Sequence, residues 1–150
     1  MKTLVACFVM VVGFTGCSQG ERTKLIAMSG NDDMKFNVTN FNVTAGQTIA
    51  LTLTNLGELP KEAMSHNWVL LENGTDAGKM IQAGAEHPES DYISPDLAPH
   101  ILAKTKLLGP LESDTITFTA PAKIGAYEYV CTFPDHYARG MRGVMTVRPK

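Results

Sequence analysis

The sequence predicts an all-β sandwich or barrel with one inserted segment that carries a short helix. Three observations lead there. Short runs alternate apolar and polar side chains and are rich in Val and Thr, turn residues punctuate them, and one stretch from about 72 to 100 has a different character. With 150 residues the chain is long enough for one domain with a real core and too short for two ordinary ones. The formal net charge is −2, and the basic residues are scattered rather than clustered. That pattern excludes a nucleic-acid-binding footprint.

The first segment stands apart. Lys2 precedes an apolar run from Leu4 to Phe14, followed by small residues and Cys17. The run is shorter than the ~20 residues a membrane span needs, and its order of basic start, apolar middle and small-residue end reads as a secretory signal. Phe14-Thr15-Gly16-Cys17 resembles a bacterial lipoprotein cleavage site, in which the cysteine becomes the lipidated first residue. The alternative is an unlipidated signal cut nearby. The expected division is a signal segment over 1–16, a polar tether over 17–23 and a folded domain over 24–150. Cys7 then falls in the removed segment and Cys17 carries lipid, so Cys131 alone remains in the domain. A lone thiol in an oxidising compartment is a liability unless something, such as a metal, occupies it.

Along the domain, Met34 to Val38 and Ile49 to Leu53 alternate as strands do, with Ala45-Gly46 as the turn between them. Asn67 to Leu71 reads as a buried strand. Thr115 to Thr119 alternates again, Tyr127, Tyr129 and Cys131 share one face of the next strand, and Val144 to Val147 begins the last. Between Glu72 and His100 the pattern changes. Asp76 is placed to cap a short helix over Ala77 to Ala85, and the proline-rich run from His87 to Pro99 reads as loop lying against the sandwich.

The chemistry concentrates in Cys131-Thr132-Phe133-Pro134-Asp135-His136-Tyr137-Ala138-Arg139-Gly140-Met141, a loop between two expected strands. Thiolate and thioether are soft donors that suit Cu(I), and imidazole also accepts Cu(II). Two histidines, one cysteine and a weak axial methionine make the blue-copper donor set. The loop offers three of these donors, and a second histidine must come from His66, His87 or His100. His66 is the best choice because it opens an apolar strand that would fix its backbone. His87 and His100 have the polar setting of surface loops. Met64 and Met145 compete with Met141 for the axial role. Met145 alternates with Val147 and is assigned to the core. The candidate ligands are therefore His66, Cys131, His136 and Met141, around one copper ion.

Met64-Ser65-His66-Asn67-Trp68-Val69-Leu70 and Cys131-Thr132-Phe133-Pro134-Asp135-His136 resemble azurins and the related auracyanins. So do Gly30-Asn31-Asp32, Leu59-Pro60-Lys61, Asp91-Tyr92, Lys104-Thr105-Lys106-Leu107 and Met141-Arg142-Gly143, in the same order. The resemblance implies an eight-stranded Greek-key cupredoxin sandwich, an insertion flap with a helix and a single type 1 copper. It implies that Asn67 ties the two ligand-bearing segments together. It also implies that His136 reaches the surface as the electron exit, inside an apolar patch of Met34, Leu59, Ala63, Met64, Phe133 and Pro134. This sequence departs from azurins in three ways near the copper. The spacing from His136 to Met141 is one residue longer, Asp135 stands where azurins usually have Gly, and Ser65 replaces the usual Gly but still offers a backbone carbonyl as a distant axial contact. The usual azurin disulfide is missing.

A site closed by four protein donors leaves no position for substrate, so the expected role is one-electron transfer between redox proteins rather than catalysis. The partners expected by analogy are c-type cytochromes or copper-containing oxidases and reductases. The expected protein is monomeric and exported, on the periplasmic or cell-surface side, and held to a membrane through Cys17. An exported copper chaperone or store is the alternative function. A cysteine hydrolase built on Cys131, His136 and Asn67 leaves Met141 without a role.

Overall fold

The computed structural model describes residues 22–150. Two sheets face each other. Strands β1 (Lys24–Gly30), β3 (Thr48–Asn55) and β6 (Ser113–Thr119) form one sheet in that order. Strands β2 (Asn40–Thr44), β8 (Arg142–Arg148), β7 (Gly125–Val130), β4 (Val69–Leu71) and β5 (Ile101–Lys104) form the other. The pairs β1–β3 and β2–β8 run parallel and the rest antiparallel. Eight strands in two layers, with one short α-helix among the described residues, make a cupredoxin sandwich. No described helix is long and apolar enough to cross a membrane.

Alternation builds the interior. In β3 the residues Ile49, Leu51 and Leu53 point inward and are fully buried, while Ala50, Thr52 and Thr54 stay half-exposed. Met145 and Val147 of β8 and Tyr127 and Tyr129 of β7 complete the core. Trp68 sits at its centre, with ring centroids 5.5 Å from Tyr129 and 5.6 Å from Phe118. Such ring pairs add ~0.5–1.5 kcal/mol beyond their buried area.

Strand β4 is buried on both faces, which explains its unbroken apolar run. Leu70 faces the sandwich core, and Val69 and Leu71 face outward under the flap. There helix α1 (Ala77–Gly84) covers them with Ala77 and Met80, and Ile93 joins the same cluster. Asp76 caps α1 as expected, its side chain accepting from the Lys79 amide at 3.0 Å. Two short 3-10 turns, Pro88–Ser90 and Ala98–His100, shape the rest of the flap.

Two expectations change. Residues 34–38 are not a strand: Met34 takes a positive φ of 56° after a turn, and only Phe36 bridges, to Gly30. The strand before them is β1, hidden in the sequence because Leu25 points outward while Ile26 and Met28 lie on the inward face. Ala45-Gly46 is a turn, with Gly46 at φ 76°, but it joins β2 to β3 and so crosses between sheets. Strand β5 follows at 101–104, where the flap ends. The signal segment and most of the tether, with Cys7 and Cys17, lie outside the described residues.

Candidate metal centre

Two chain segments meet at one end of the sandwich. The first runs into β4. His66 donates its amide to Leu108 O at 3.0 Å and accepts the Leu108 amide at 2.8 Å, so its backbone is held on both sides. Asn55, fully buried, reinforces this by donating to Leu108 O at 3.1 Å and to Met64 O at 3.3 Å. The second segment is the loop from β7 to β8. It folds back on itself: His136 donates to Phe133 O, Met141 donates to His136 O at 2.9 Å, and Cys131 donates to Met141 O at 3.1 Å. Two positive φ values make the reversal, 65° at Asp135 and 90° at Gly140.

The two segments bring His66, Cys131 and His136 together, with one donor atom from each lying within 4.8 Å of the others. His66 Nδ1 is 3.2 Å from His136 Nδ1, and Cys131 Sγ is 3.4 Å from His136 Nδ1. All three residues are buried, at 0, 0 and 1% exposure. A metal bonded at ~2.0 Å to nitrogen and ~2.3 Å to sulfur sets such donors roughly 3–4 Å apart, so the geometry fits one ion. The electrostatics fit as well. Without a cation, burial pushes the Cys131 thiol up to about 12 and pulls His136 down to about 4, aided by the neighbouring His66. Burial also lowers His66, against the nearby Asn31 backbone and the Asp32 carboxylate. His66 Nε2 nevertheless has no partner in hydrogen-bonding geometry, so Asn31 is close rather than bonded. A cation at the shared focus reverses this by accepting a thiolate and two neutral imidazoles at once.

Met141 is fully buried in the same cluster as Cys131. A Cβ on Gly30 would come within 2.6 Å of Met141 Cε and 3.0 Å of His66 Cδ2. The Met141 methyl and the His66 ring thus converge on the Gly30 backbone, in space that only glycine leaves open. Ser65 O lies 4.0 Å from Cys131 Sγ. Of the competing methionines, Met145 is core and Met64 is half-buried. His87 and His100 lie in the flap, beside Glu89 at 3.2 Å and Glu72 at 3.0 Å.

Asn67 does join the two segments. Its Nδ2 donates to Thr132 Oγ1 at 2.7 Å, and its Oδ1 accepts the Thr132 amide at 2.9 Å. The backbone amides of Asn67 and Phe133 favour the thiolate form of Cys131. Sequence reasoning gave no role to Thr132, Asn55 or Gly30. Only the last carries a sequence signal, a glycine at a strand end where close approach is needed.

One implied feature differs. His136 is 1% exposed and does not itself form the surface. The Phe133 ring packs against it, tilted by 48° with centroids 4.9 Å apart, and Pro134 and Asp135 lie outside. Of the implied apolar patch, Leu59, Ala63 and Pro134 are exposed, Met34 and Met64 half-buried, and Phe133 buried.

A buried trio of two imidazoles and one thiol, with Cys131 and His136 from the loop between the last two strands and His66 from the segment entering β4, defines a mononuclear type 1 copper protein. The comparisons agree. The family model described as copper binding proteins of the plastocyanin/azurin family matches residues 23–148. Azurin of Pseudomonas aeruginosa is 36% identical over 126 residues, covering 82% of this chain and 84% of that protein. Auracyanin-B of Chloroflexus aurantiacus is 35% identical over 119 residues; the match covers 79% of this chain but about half of that protein, 49%. The structure of dithionite-reduced auracyanin from Roseiflexus castenholzii aligns with a TM-score of 0.75 at 39% identity, covering 84% of this chain and 98% of that one. The chain belongs to the plastocyanin/azurin family and is a blue copper electron carrier rather than an enzyme.

Proposed function

We propose that His66 and His136, through Nδ1, Cys131, through Sγ, and Met141 would hold the copper, with the Met141 thioether as the weak fourth donor. The observation that carries this is the buried convergence of the three donor atoms within 4.8 Å. Bound copper supplies a one-electron couple between Cu(II) and Cu(I). The protein's part is to hold the donors still and keep water out. The doubled backbone bonds at His66 and the Asn67–Thr132 pair fix both segments, so little has to move when the electron arrives or leaves. Full burial of the donors also argues against a chaperone, which needs an accessible site to hand copper on.

Electrons pass to and from soluble or membrane-bound redox proteins, such as c-type cytochromes or copper-containing oxidases and reductases. The exposed Leu59, Ala63 and Pro134 and the Asp135 carboxylate support a small docking face of the transient kind, often below ~1,200 Å². The apolar run of 4–14 and Cys17 support export and a lipid anchor, with the folded domain from residue 24 held outside a membrane. The mass of the mature chain checks this, since a chain without acyl groups contradicts the anchor.

The ligand assignment is tested by replacing methionines one at a time. Met141→Leu should raise the reduction potential and keep the blue colour, because loss of a weak axial donor disfavours Cu(II) more than Cu(I). If Met64→Leu or Met145→Leu shifts the potential and Met141→Leu does not, the axial ligand is a different methionine.

A further inference from the structure

The flap meets the copper loop at an elbow with unusual backbone. Asp91 and Tyr92 are consecutive non-glycine residues with φ of 58° and 59°. Side-chain-bearing residues avoid this region, and two in succession persist only where surrounding contacts hold them. Several contacts do so. Lys104 Nζ donates to Asp91 Oδ2 at 2.7 Å, and the Tyr92 amide donates to His87 O at 2.9 Å. The Tyr92 carbonyl lies against α1 where only Gly84 fits: a Cβ there would be 2.0 Å from Tyr92 O.

The elbow grips the two residues that follow Cys131. Thr132 Oγ1 donates to Asp91 O at 2.6 Å. The half-buried Tyr92 ring stands edge-on to Phe133, with centroids 5.4 Å apart at 75°. Phe133 in turn lies 4.9 Å from the His136 ring, and His136 lies 4.9 Å from His66. Four rings thus run in unbroken contact from the flap to the far histidine of the site.

We infer that the Asp91–Tyr92 elbow is a positioning device for the copper site. It holds Thr132 and Phe133, and through Phe133 it sets the His136 ring. Tyr92 is a positioning residue, and the flap, distant in sequence from every donor, is part of the site's frame. The inference rests on His136 and Cys131 being copper ligands.

The test uses copper-loaded full-length protein and the variants Tyr92→Ala, Tyr92→Phe and Gly84→Ala. Readouts are the thiolate-to-copper absorption, the reduction potential and the rate of copper loss to a chelator. Tyr92→Ala should lose copper between about twofold and tenfold faster, the range one ring contact supplies, with a displaced potential and absorption band. Tyr92→Phe should match wild type, since the ring edge makes the contact. Gly84→Ala should behave like Tyr92→Ala although its tyrosine is intact, because the elbow is forced off α1. If Gly84→Ala does not fold, the two Tyr92 variants decide the matter. A Tyr92→Ala protein that melts earlier but keeps wild-type absorption, potential and copper retention would overturn the inference. Wild-type protein that never develops the thiolate band would instead remove the ligand assignment beneath it.

Discussion

Gly30 ends β1 with its backbone engaged: its carbonyl accepts the Leu56 amide at 2.8 Å, and it bridges to Phe36. Its φ is not positive, so alanine meets no backbone obstacle there. In open space Gly30→Ala would stabilise by ~0.4–1 kcal/mol through the unfolded chain. Here the new methyl meets Met141 Cε at 2.6 Å and the His66 ring at 3.0 and 3.1 Å. Carbon pairs rest at ~3.5–4.0 Å, so the Met141 methyl has to retreat by roughly 1 Å. Overpacking of this kind costs ~1–3 kcal/mol. The net loss should be about 1–2 kcal/mol, a fall in Tm of roughly 3–8 °C for a domain of this size. The methionine end is flexible and the His66 ring is not, so the thioether does most of the moving. Copper-loaded Gly30→Ala should therefore also show a displaced reduction potential, and the stability lost in Gly30→Ala with Met141→Ala should be smaller than the sum of the two single losses. Calorimetry of both metal states and voltammetry check this. An unchanged or raised Tm together with a wild-type potential would mean that Met141 and His66 do not crowd Gly30.

Asp135→Gly should raise the potential by a few tens of millivolts at low salt. The Asp135 carboxylate is exposed beside His136 and forms no ion pair among the described residues, while Arg142 is engaged by Tyr137 at 2.9 Å and Glu128 at 3.9 Å. At roughly 8 Å from copper and an effective dielectric of about 40, its charge favours Cu(II) by ~1 kcal/mol. High salt should shrink the shift, and a fall in potential on substitution would contradict the reasoning. Glycine also suits φ 65°, so the same variant should gain up to ~1 kcal/mol of stability, read from its denaturation midpoint. In the metal-free protein His136 is depressed to about 4 from an unfolded value near ~6.5. The unfolded chain therefore binds more protons as pH falls. The stability present above pH ~6.5 should decline toward pH 4, by about 3 kcal/mol from this group, with His66 acting in the same direction. Urea midpoints of apo-protein that are equal at pH 7.5 and 4.5 would refute this.

Much of this was legible where local pattern and packing agree. Ile49 to Leu53 and Thr115 to Thr119 alternate because one face of each meets the core, and β3 and β6 contain them. Tyr127, Tyr129 and Cys131 do share a buried face. The flap helix was legible from its Asp76 cap. β1 was not, because Leu25 is apolar yet 78% exposed and breaks the alternation. Strand β2 was missed because Asn40 and Asn42, residues that strands disfavour, flank its inward Phe41 and Val43. At the site, residue chemistry and chain spacing singled out His66, Cys131 and His136, which the fold brings together. What they left out depends on distant approach: Gly30 against Met141, and Thr132 between Asn67 and Asp91. No local pattern encodes contacts between segments that far apart.

The most direct measurement is the visible spectrum of purified protein with one equivalent of Cu(II), taken beside Cys131→Ser. The site predicts an intense thiolate-to-copper band near ~600 nm in wild type and its absence in the variant, whose apo-fold persists by circular dichroism. A colourless one-to-one copper complex of wild type, or a band that survives the loss of Cys131, would contradict the account.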